Sequence, residues 1–466
     1  MKITTALRSS LVLAGSLILA SLLHAADTDG TWTKDATGTL NWSDTANWSG
    51  GTVADGIGFS AYLSNIITAD RTITLDTART IGNIYAQDTT NNYTISGAST
   101  LTLDASSGQS ILDVVSGRTL TVGTALTVND GIVKTGAGAV SITGAMSLGA
   151  AQTWTNNSAG AFTKTNASLI NNNGYDLTID GSGVFNFGTI NSATAVLTGS
   201  GALVKNGTGR LNIGGINSGF TGSVTINGGV LQMHNDAAGL GNGNLTLSGG
   251  VLSIYWGATY TRTLGTGTGA VQILGGESGF AGAGTTGPTI NLGSSVTWGS
   301  AYFNPGKFVL GDAGTTNAGA TTFSSGIVLN GGARTIVVPK GLSAGGNNTT
   351  ISGAITNGTG TSNLIKEGGG NLTVSANSSW TGNLTHSEGY LIFSNTSTNW
   401  GGTTTVNGGL LDMGGLNLAN IGGGSGRNIT VAAGAAIRFN VLSNAILNRI
   451  VETTDEFTVM TGSTSN

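Results

Sequence analysis

The chain has 466 residues, of which 79 are glycine, 3 are proline and none is cysteine. Its 18 basic and 22 acidic residues give a formal net charge of −4 without a basic block, so the electrostatic footprint of a nucleic-acid-binding protein is missing. Collagen would need abundant proline, and a disordered chain would need low hydrophobicity, whereas 38% of these residues are hydrophobic. The composition therefore favours a turn-rich all-β protein.

The first predicted element is an export signal over residues 1–26. Lys2 and Arg8 precede the apolar run LVLAGSLILASLL at 11–23, which is too short to span a bilayer. The rest of the sequence contains no apolar stretch long enough for a membrane helix. We therefore expect an exported chain, secreted or held on the outer cell surface, with no integral membrane segment once the signal is removed.

The next element, residues 27–60, is predicted to be an N-terminal cap. It holds Trp32, Trp42 and Trp48 in a chain with only 8 tryptophans. A stack of β-coils has to cover the apolar end of its first coil, and bulky aromatic rings can do this. The alternative is that these three rings stack on a carbohydrate ligand.

The segment 61–440 is predicted to form a β-solenoid, because short alternating apolar runs end in Gly, Asn or Ser and parts of the segment repeat. One pattern is shared by IVKTGAGAVSI at 132–142, LVKNGTGRLNI at 203–213 and LIKEGGGNLTV at 364–374. A second pattern is shared by FTGSVTINGGVLQM at 220–233, WTGNLTHSEGYLIF at 380–393 and WGGTTTVNGGLLDM at 400–413. Such modular repetition is typical of solenoid proteins.

The spacing of equivalent residues predicts the fold class. Leu391 and Leu411 are equivalent, and we interpret their separation as one coil of a parallel β-helix, or β-solenoid, with coils of roughly 20 residues. The repeat units lie near 130–147, 201–254 and 362–413, and residues 441–466 are predicted to form an acidic tail. The lysines of the first pattern are predicted to lie in turns or at coil edges: Lys134, Lys205 and Lys366.

These units resemble the autotransporter-associated β-strand repeat, which runs apolar-x-Lys-x-Gly-x-Gly-x-Leu-x-Leu and continues with aromatic-x-Gly and an Asn-Gly turn before a final Leu. The matching residues of one copy are Lys205, Gly207, Gly209, Leu211, Ile213, Phe220, Gly222, Asn227, Gly229 and Leu231. Those of the other clear copy are Lys366, Gly368, Gly370, Leu372, Val374, Trp380, Gly382, Gly389 and Leu391. The resemblance implies a parallel β-helix on an exported bacterial surface protein, of the kind found in passenger domains. The anchoring or sorting segment that such proteins often carry is not recognisable after residue 440, so we expect either a secreted protein or the N-terminal portion of a longer one.

One copy departs from the pattern at HSEG, residues 386–389. His386 stands where Ile226 stands in the other copy, at a position predicted to face inward, and Glu388 replaces a glycine. A polar residue at a core position either has a partner or strains the coil. His386 and Glu388 therefore either build a site together or mark a coil edge at which the pattern slackens. His234, which directly follows Met233, is predicted to face outward.

Trp380 and Trp400 also allow two interpretations. Their separation along the chain equals that of Leu391 and Leu411, and they occupy the place of Phe220 in the repeat, so the predicted register sets them one coil apart. Rings placed in this way form either a structural aromatic ladder or a platform on which sugar rings stack. Rings more than about two coil spacings apart would reject the register.

The sequence predicts no catalytic residue, no metal ligand and no cofactor. Its acidic residues are scattered, without the paired carboxylates of a glycosidase or the acidic cluster of a lyase. We therefore predict a non-enzymatic surface protein with a structural or adhesive role. A polysaccharide-binding module and a carbohydrate-active enzyme, the latter with three or more acids converging in one groove, remain as alternatives, and the partner expected is a surface or extracellular polysaccharide.

Overall fold

The computed structural model describes residues 27–234, 237–257, 259–314, 319–342, 345–414, 416, 429–439, 450–453 and 458–461. The described chain is all-β, with short 3-10 turns at Thr45–Asn47, Ser49–Gly51 and Ala237–Leu240. No helix within these residues is long and apolar enough to cross a membrane. The predicted export signal, residues 1–26, lies outside the described residues.

Strands that are one coil apart pair in parallel and form four sheets, which confirms the predicted parallel β-helix. The N-terminal sheet contains Gly30–Trp32, Gly56–Leu63, Arg79–Ala86, Thr100–Leu103, Ser110–Val114, Ala125–Val128, Ile132–Thr135, Met146–Leu148, Gln152–Asn156, Ile170–Asn171, Leu177–Asp180, Leu197–Thr198, Leu203–Lys205, Val224–Ile226, Leu245–Leu247, Val271–Leu274 and Phe303–Asn304.

The long sheet runs from one end of the described chain to the other. It contains Leu40–Asn41, Arg71–Thr74, Tyr93–Ser96, Thr119–Val122, Ala139–Ile142, Phe162–Lys164, Phe185–Phe187, Arg210–Ile213, Val230–Met233, Val251–Tyr255, Glu277–Ala283, Lys307–Leu310, Gly332–Val337, Ser362–Glu367, Leu384–His386, Thr404–Val406, Ile429–Val431 and Ile450–Thr453.

Two further sheets belong to the second half of the chain. The C-terminal sheet contains Thr259–Thr261, Thr289–Asn291, Thr321–Phe323, Asn348–Ile351, Asn371–Val374, Tyr390–Phe393, Leu410–Asp412, Ala436–Phe439 and Thr458–Thr461. The short sheet contains Ser295–Thr297, Gly326–Val328, Ile355–Thr356, Ser379–Trp380 and Asn399–Trp400.

Strict alternation along each strand builds the interior of the coil. In Thr119–Val122 the side chains of Leu120 and Val122 are buried and stack on Val140 and Ile142 of the next coil, while the threonines between them face outward. Burial of each such aliphatic side chain contributes about 1.5–3 kcal/mol. Since each coil buries its apolar residues only against its neighbours, stability is a sum over coils and their interfaces.

Coils within the repeats at the C-terminal side have the predicted length, whereas a coil in the middle of the chain is longer. Leu372 pairs with Leu391, and Trp380 pairs with Trp400, so each of these coils has the predicted length. Gly279 pairs with Val309, and this coil is half as long again because loops and an additional strand are inserted into it. The middle of the chain therefore contains coils longer than the predicted roughly 20 residues.

The chain changes sheets between residues 251 and 310. Before this segment a coil finishes in the long sheet, as when Leu203–Lys205 of the N-terminal sheet precedes Arg210–Ile213. After it, a coil passes from the short sheet through the long sheet to the C-terminal sheet. The C-terminal sheet begins at Thr259–Thr261, before the N-terminal sheet has ended at Phe303–Asn304. Both sheets therefore receive strands from this segment of the chain.

The rod bends at the same place. Arg210 and Val309 lie four strand spacings apart on the outer face of the long sheet, a distance of roughly 19 Å in a flat sheet. Nevertheless the guanidinium of Arg210 forms an ion pair with the buried carboxylate of Asp312. The outer face of the long sheet must therefore be concave between them.

The segment predicted as an acidic tail contributes strands to the stack. Ile450–Thr453 pairs with Ile429–Val431 in the long sheet, and Thr458–Thr461 pairs with Ala436–Phe439 in the C-terminal sheet. Short β-branched runs explain this pairing, since such residues favour strands even beside acidic neighbours. The described part of residues 441–466 therefore continues the β-helix.

Candidate functional site

The aromatic ladder at Trp380 and Trp400 lies inside the rod. The two rings stack with centroids 5.4 Å apart and planes 11° from parallel, and they are 2% and 1% exposed. Their indole nitrogens donate hydrogen bonds to the Asn383 carbonyl (3.3 Å) and the Thr404 hydroxyl (2.9 Å). The predicted register is confirmed, and rings buried in this way offer no face to a sugar.

The N-terminal tryptophans are also buried. Trp48 makes edge contacts with Trp32 and Trp42 at centroid distances of 5.1 and 5.0 Å. All three indole nitrogens donate to backbone carbonyls, at 2.7 to 3.0 Å. The cluster therefore packs the first coils, and its rings are not available for stacking on a ligand.

The lysines of the repeat lie in the core, which corrects their predicted place in turns or at coil edges. Lys134, Lys205 and Lys366 are each at most 1% exposed. Lys366 Nζ donates to the carbonyl of Gly368, to that of Gly370 (2.6 Å) and, one coil further on, to that of Glu388 (2.6 Å). The ammonium group thus ties the glycine turn of one coil to the turn of the next.

The other lysines make the same kind of contact. Lys205 Nζ donates to the carbonyls of Gly207 and, one coil on, Gly228 (3.3 Å). Lys134 Nζ donates to the Gly136 carbonyl (2.6 Å) and to the hydroxyl of Ser158 in the next coil (2.7 Å). The contacts explain how the coil accommodates a buried lysine, since a buried polar group must have hydrogen-bond partners.

Lys164 is a fourth buried lysine that the sequence reasoning missed. Its Nζ donates to the carbonyls of Thr165 (2.8 Å) and Ser168 (2.6 Å). Burial lowers the pKa of all four of these lysines to about 8. The sequence contains a signal for this position: Lys164 lies two residues after Phe162, so both side chains face the same side of one strand.

His386 and Glu388 do not build a site together. His386 is buried, as predicted, and its Nε2 lies 3.1 Å from the Gly389 carbonyl, whereas its Nδ1 has no hydrogen-bond partner. Glu388 is exposed, and its carboxylate accepts a hydrogen bond from the amide of Gly368 (3.1 Å). Burial and the charge of Lys366 together lower the pKa of His386 to about 4, so this imidazole is neutral at pH 7.

His234, which was predicted to face outward, is 6% exposed, so its side chain is buried rather than in solvent. Strand Val230–Met233 ends just before it, so the alternation of that strand does not fix the direction of its side chain. The imidazole lies 6.5 Å from the ring of Trp256 in the adjacent coil.

A groove of about 480 Å³ opens on the concave side of the bend. Its apolar floor is an outward-facing column of valines, Val230, Val251, Val309 and Val337, and Arg210 and Glu277 stand at its edge. Within the described chain, no group of three or more His, Asp or Glu side chains is placed to hold a metal ion. The guanidinium of Arg210 is engaged by Asp312, so the edge of the groove carries a neutralised charge pair.

The outer faces of the coils are covered with hydroxyl and amide groups. Asparagines stack one coil apart and bond to each other, as in Asn227 with Asn206 (2.9 Å) and Asn371 with Asn348 (2.8 Å). Ser379 donates to Asn399 in the same way at 2.8 Å. Such a surface is rich in hydrogen-bonding groups and poor in charge, consistent with a chain in which 9% of the residues are charged.

A family model matches the chain in the region of these repeats. The model for the passenger-associated-transport-repeat matches residues 203–233, 364–385 and 387–413. The chain therefore carries the autotransporter-associated repeats that its sequence predicted, and each of their lysines lies in the core of a coil.

A curated relative is similar over a longer stretch. It is the adhesin BmaC autotransporter of Brucella suis biovar 1 (strain 1330), which is 29% identical over 286 residues. The aligned region covers 51% of this chain, and it spans 8% of the length of that protein. No solved structure matches the chain.

Proposed function

We propose that this chain, built on passenger-associated-transport repeats, is an exported, non-enzymatic β-helical rod that acts in adhesion at the cell surface. The observation that carries the proposal is the family match on repeats whose lysines fasten one coil to the next. A rod of this kind places a long polar surface at a distance from its base without needing a single deep core.

The similarity to an autotransporter adhesin supports the adhesive part of the proposal. The polar outer faces support it as well, because ladders of Asn, Ser and Thr supply many weak hydrogen-bonding contacts to a partner surface. The non-enzymatic part is supported by the family match and the similarity to an adhesin, and by the burial of His386, which keeps this imidazole away from a substrate.

Adhesion and catalysis can be separated in one experiment. The purified full chain is coupled to beads and incubated with immobilised polysaccharides, extracellular proteins and bacterial cells, and the same tubes are analysed for soluble sugar fragments. We expect attachment to at least one surface and no release of fragments, with heat-denatured protein as the control. Fragment release would contradict the non-enzymatic proposal, and a native chain that attaches to nothing would contradict the adhesive one.

A further inference from the structure

Trp256 combines exposure with an unusual backbone conformation. Its φ angle is 74°, in the left-handed region that is costly for a bulky side chain. Among the described residues, the other non-glycine residues with positive φ are a serine and two asparagines, Ser106, Asn173 and Asn330. Strained conformations of this kind concentrate at functional positions, because the strain persists only where the surrounding structure holds it.

Trp256 is also the exposed tryptophan of the chain. Its side chain is 38% exposed, whereas the other seven tryptophans are at most 2% exposed. Burying an exposed indole ring against a partner gives a large gain in free energy, and tryptophan is therefore enriched among the residues that dominate interfaces. The fold thus leaves part of Trp256 in solvent, whereas the other seven tryptophans are buried.

The surrounding coils hold the indole ring in place. Its backbone amide donates to the Ala283 carbonyl at 3.0 Å, and the ring lies over Gly284, where an added Cβ would come within 2.7 Å of the indole. Tyr255 and His234 lie beside it, with ring centroids 5.4 and 6.5 Å away. A substituted residue 284 would displace the ring, so glycine at that position is part of the same arrangement.

Hydroxyl groups of the next coil lie beside Gly257, the residue that follows Trp256. Thr285 and Thr286 of the next coil are exposed, and the Thr286 hydroxyl accepts a hydrogen bond from the Gly257 amide at 3.3 Å. An aromatic ring beside neutral hydrogen-bonding groups matches a pyranose, which presents C–H groups on one face and hydroxyl groups at its rim. Tyr255, Thr285 and Thr286 supply neutral groups, so these three residues offer no countercharge to a charged ligand.

We propose that Trp256, flanked by Tyr255 and His234, is a contact site for a neutral polysaccharide. The inference rests on the proposed adhesive function, and it moves the predicted carbohydrate contact from the buried tryptophans to this exposed one. Sequence reasoning did not select Trp256, because it lies outside the repeat pattern.

Affinity electrophoresis of the full chain tests the site. Xylan, galactomannan and a mixed-linkage glucan are cast into native gels, with alginate as an anionic comparison. We expect retardation in at least one neutral polymer, a loss of affinity of at least tenfold in Trp256→Gly, and partial recovery in Trp256→Phe. Tyr390→Ala removes another exposed aromatic, 48% exposed and without a positive φ, and should bind within twofold of wild type.

Thermal unfolding separates this contact from a structural role. Glycine relieves the left-handed backbone at position 256, so Trp256→Gly should unfold at a higher temperature than Trp256→Ala while both lose binding. Unchanged binding in Trp256→Gly, an equal loss in Tyr390→Ala, or retardation by alginate alone would overturn the proposal. If the wild-type chain adheres to other surfaces but is retarded by no polysaccharide, the glycan site fails and the adhesive function stands; if it adheres to nothing, the adhesive function fails as well.

Discussion

The repeats at 203–233 and 364–393 build the same coil on different sheets of the rod. Lys205 lies in the N-terminal sheet and Lys366 in the long sheet, yet both ammonium groups are buried and bond to carbonyls of their own turn and of the next. The local sequence, an apolar strand with an inward lysine and a glycine turn, is therefore sufficient to specify the coil. Which sheet it joins is decided by the segment 251–310, where one set of faces replaces the other.

The two copies differ in the residue of the next coil that stacks on the buried lysine. Ile226 stacks on Lys205 in the first copy, whereas His386 stacks on Lys366 in the second. The aromatic position also differs, since Phe220 of the first copy corresponds to the stacked pair Trp380 and Trp400 in the second region. The interior of the second copy thus contains a polar ring above the lysine and larger aromatic rings than the first copy, on the same type of coil.

The largest effect is expected from removing one ring of the stack. Trp400→Ala should lower the free energy of unfolding by about 3–5 kcal/mol, because it leaves a cavity beside Trp380 and Phe393. Denaturant unfolding monitored by circular dichroism measures the loss. Tyr390→Ala, at an exposed position, should stay within about 0.5 kcal/mol. A Trp400→Ala variant as stable as this control would show that the ring is not in the core.

Removing the lysine should cost less. Lys366→Met is expected to lower the free energy of unfolding by about 2–3 kcal/mol, since three carbonyls lose their donor while a buried charge disappears. Lys205→Met, with two carbonyl acceptors, should lose less. The exposed Lys340→Met serves as the control. Equal effects at positions 340 and 366 would contradict the interior role of the repeat lysine.

The same lysines predict a pH dependence. Their pKa is about 8 in the folded protein and about 10.4 in an unfolded chain, so the unfolded state binds more protons between these values. The free energy of unfolding should therefore rise as the pH increases from 8 to 10. Unfolding midpoints measured across this range should rise less steeply in Lys366→Met than in wild type, and identical slopes would argue against the lowered pKa.

The smallest effect is expected from replacing His386 by the aliphatic residue with which it pairs in the next coil. His386 has a pKa of about 4 when folded and about 6.5 when unfolded, so the unfolded state binds more protons in this window and wild type loses stability as the pH falls from 6.5 to 4. His386→Val, the residue found at Val406, should gain about 1–2 kcal/mol at pH 5 and less at pH 7.5. Melting temperatures at the two pH values decide this, and a variant less stable than wild type at pH 5 would contradict it.

The sequence predicted the fold class and the register of the repeats because alternation and spacing are local properties. Trp380 pairs with Trp400 as their spacing along the chain indicated. The inward direction of Lys205 was also readable, since Leu203 and Lys205 lie on the same side of one strand by alternation. The prediction placed this lysine at a coil edge because charged side chains are rarely buried in proteins. That general tendency was given more weight than the alternation of the strand.

Other features depend on contacts between distant residues and could not be read from the sequence. The bend brings Arg210 to Asp312 across 102 residues, and no local pattern encodes that contact. The exposure of Trp256 depends on the left-handed backbone at that residue and on the close approach of Gly284. Tyr62 and Tyr85 likewise form a stacked outward pair, with centroids 5.0 Å apart, only because their strands pair one coil apart.

The long sheet continues through the segment 251–310, in which the C-terminal sheet replaces the N-terminal sheet. Val309, on the last long-sheet strand of the segment 251–310, pairs with Val337 on the first long-sheet strand after that segment, and neighbouring parallel strands fit the geometry of a disulfide. Since the chain has no cysteine, a double-cysteine variant reports on this pairing alone. The measurement is the loss of free thiol on mild oxidation of Val309→Cys/Val337→Cys, with Val309→Cys/Ile336→Cys as the shifted control. We predict a disulfide in the first variant and free thiols in the second, because Ile336 faces inward; free thiols in the first, or a disulfide in the second, would contradict the continuous sheet.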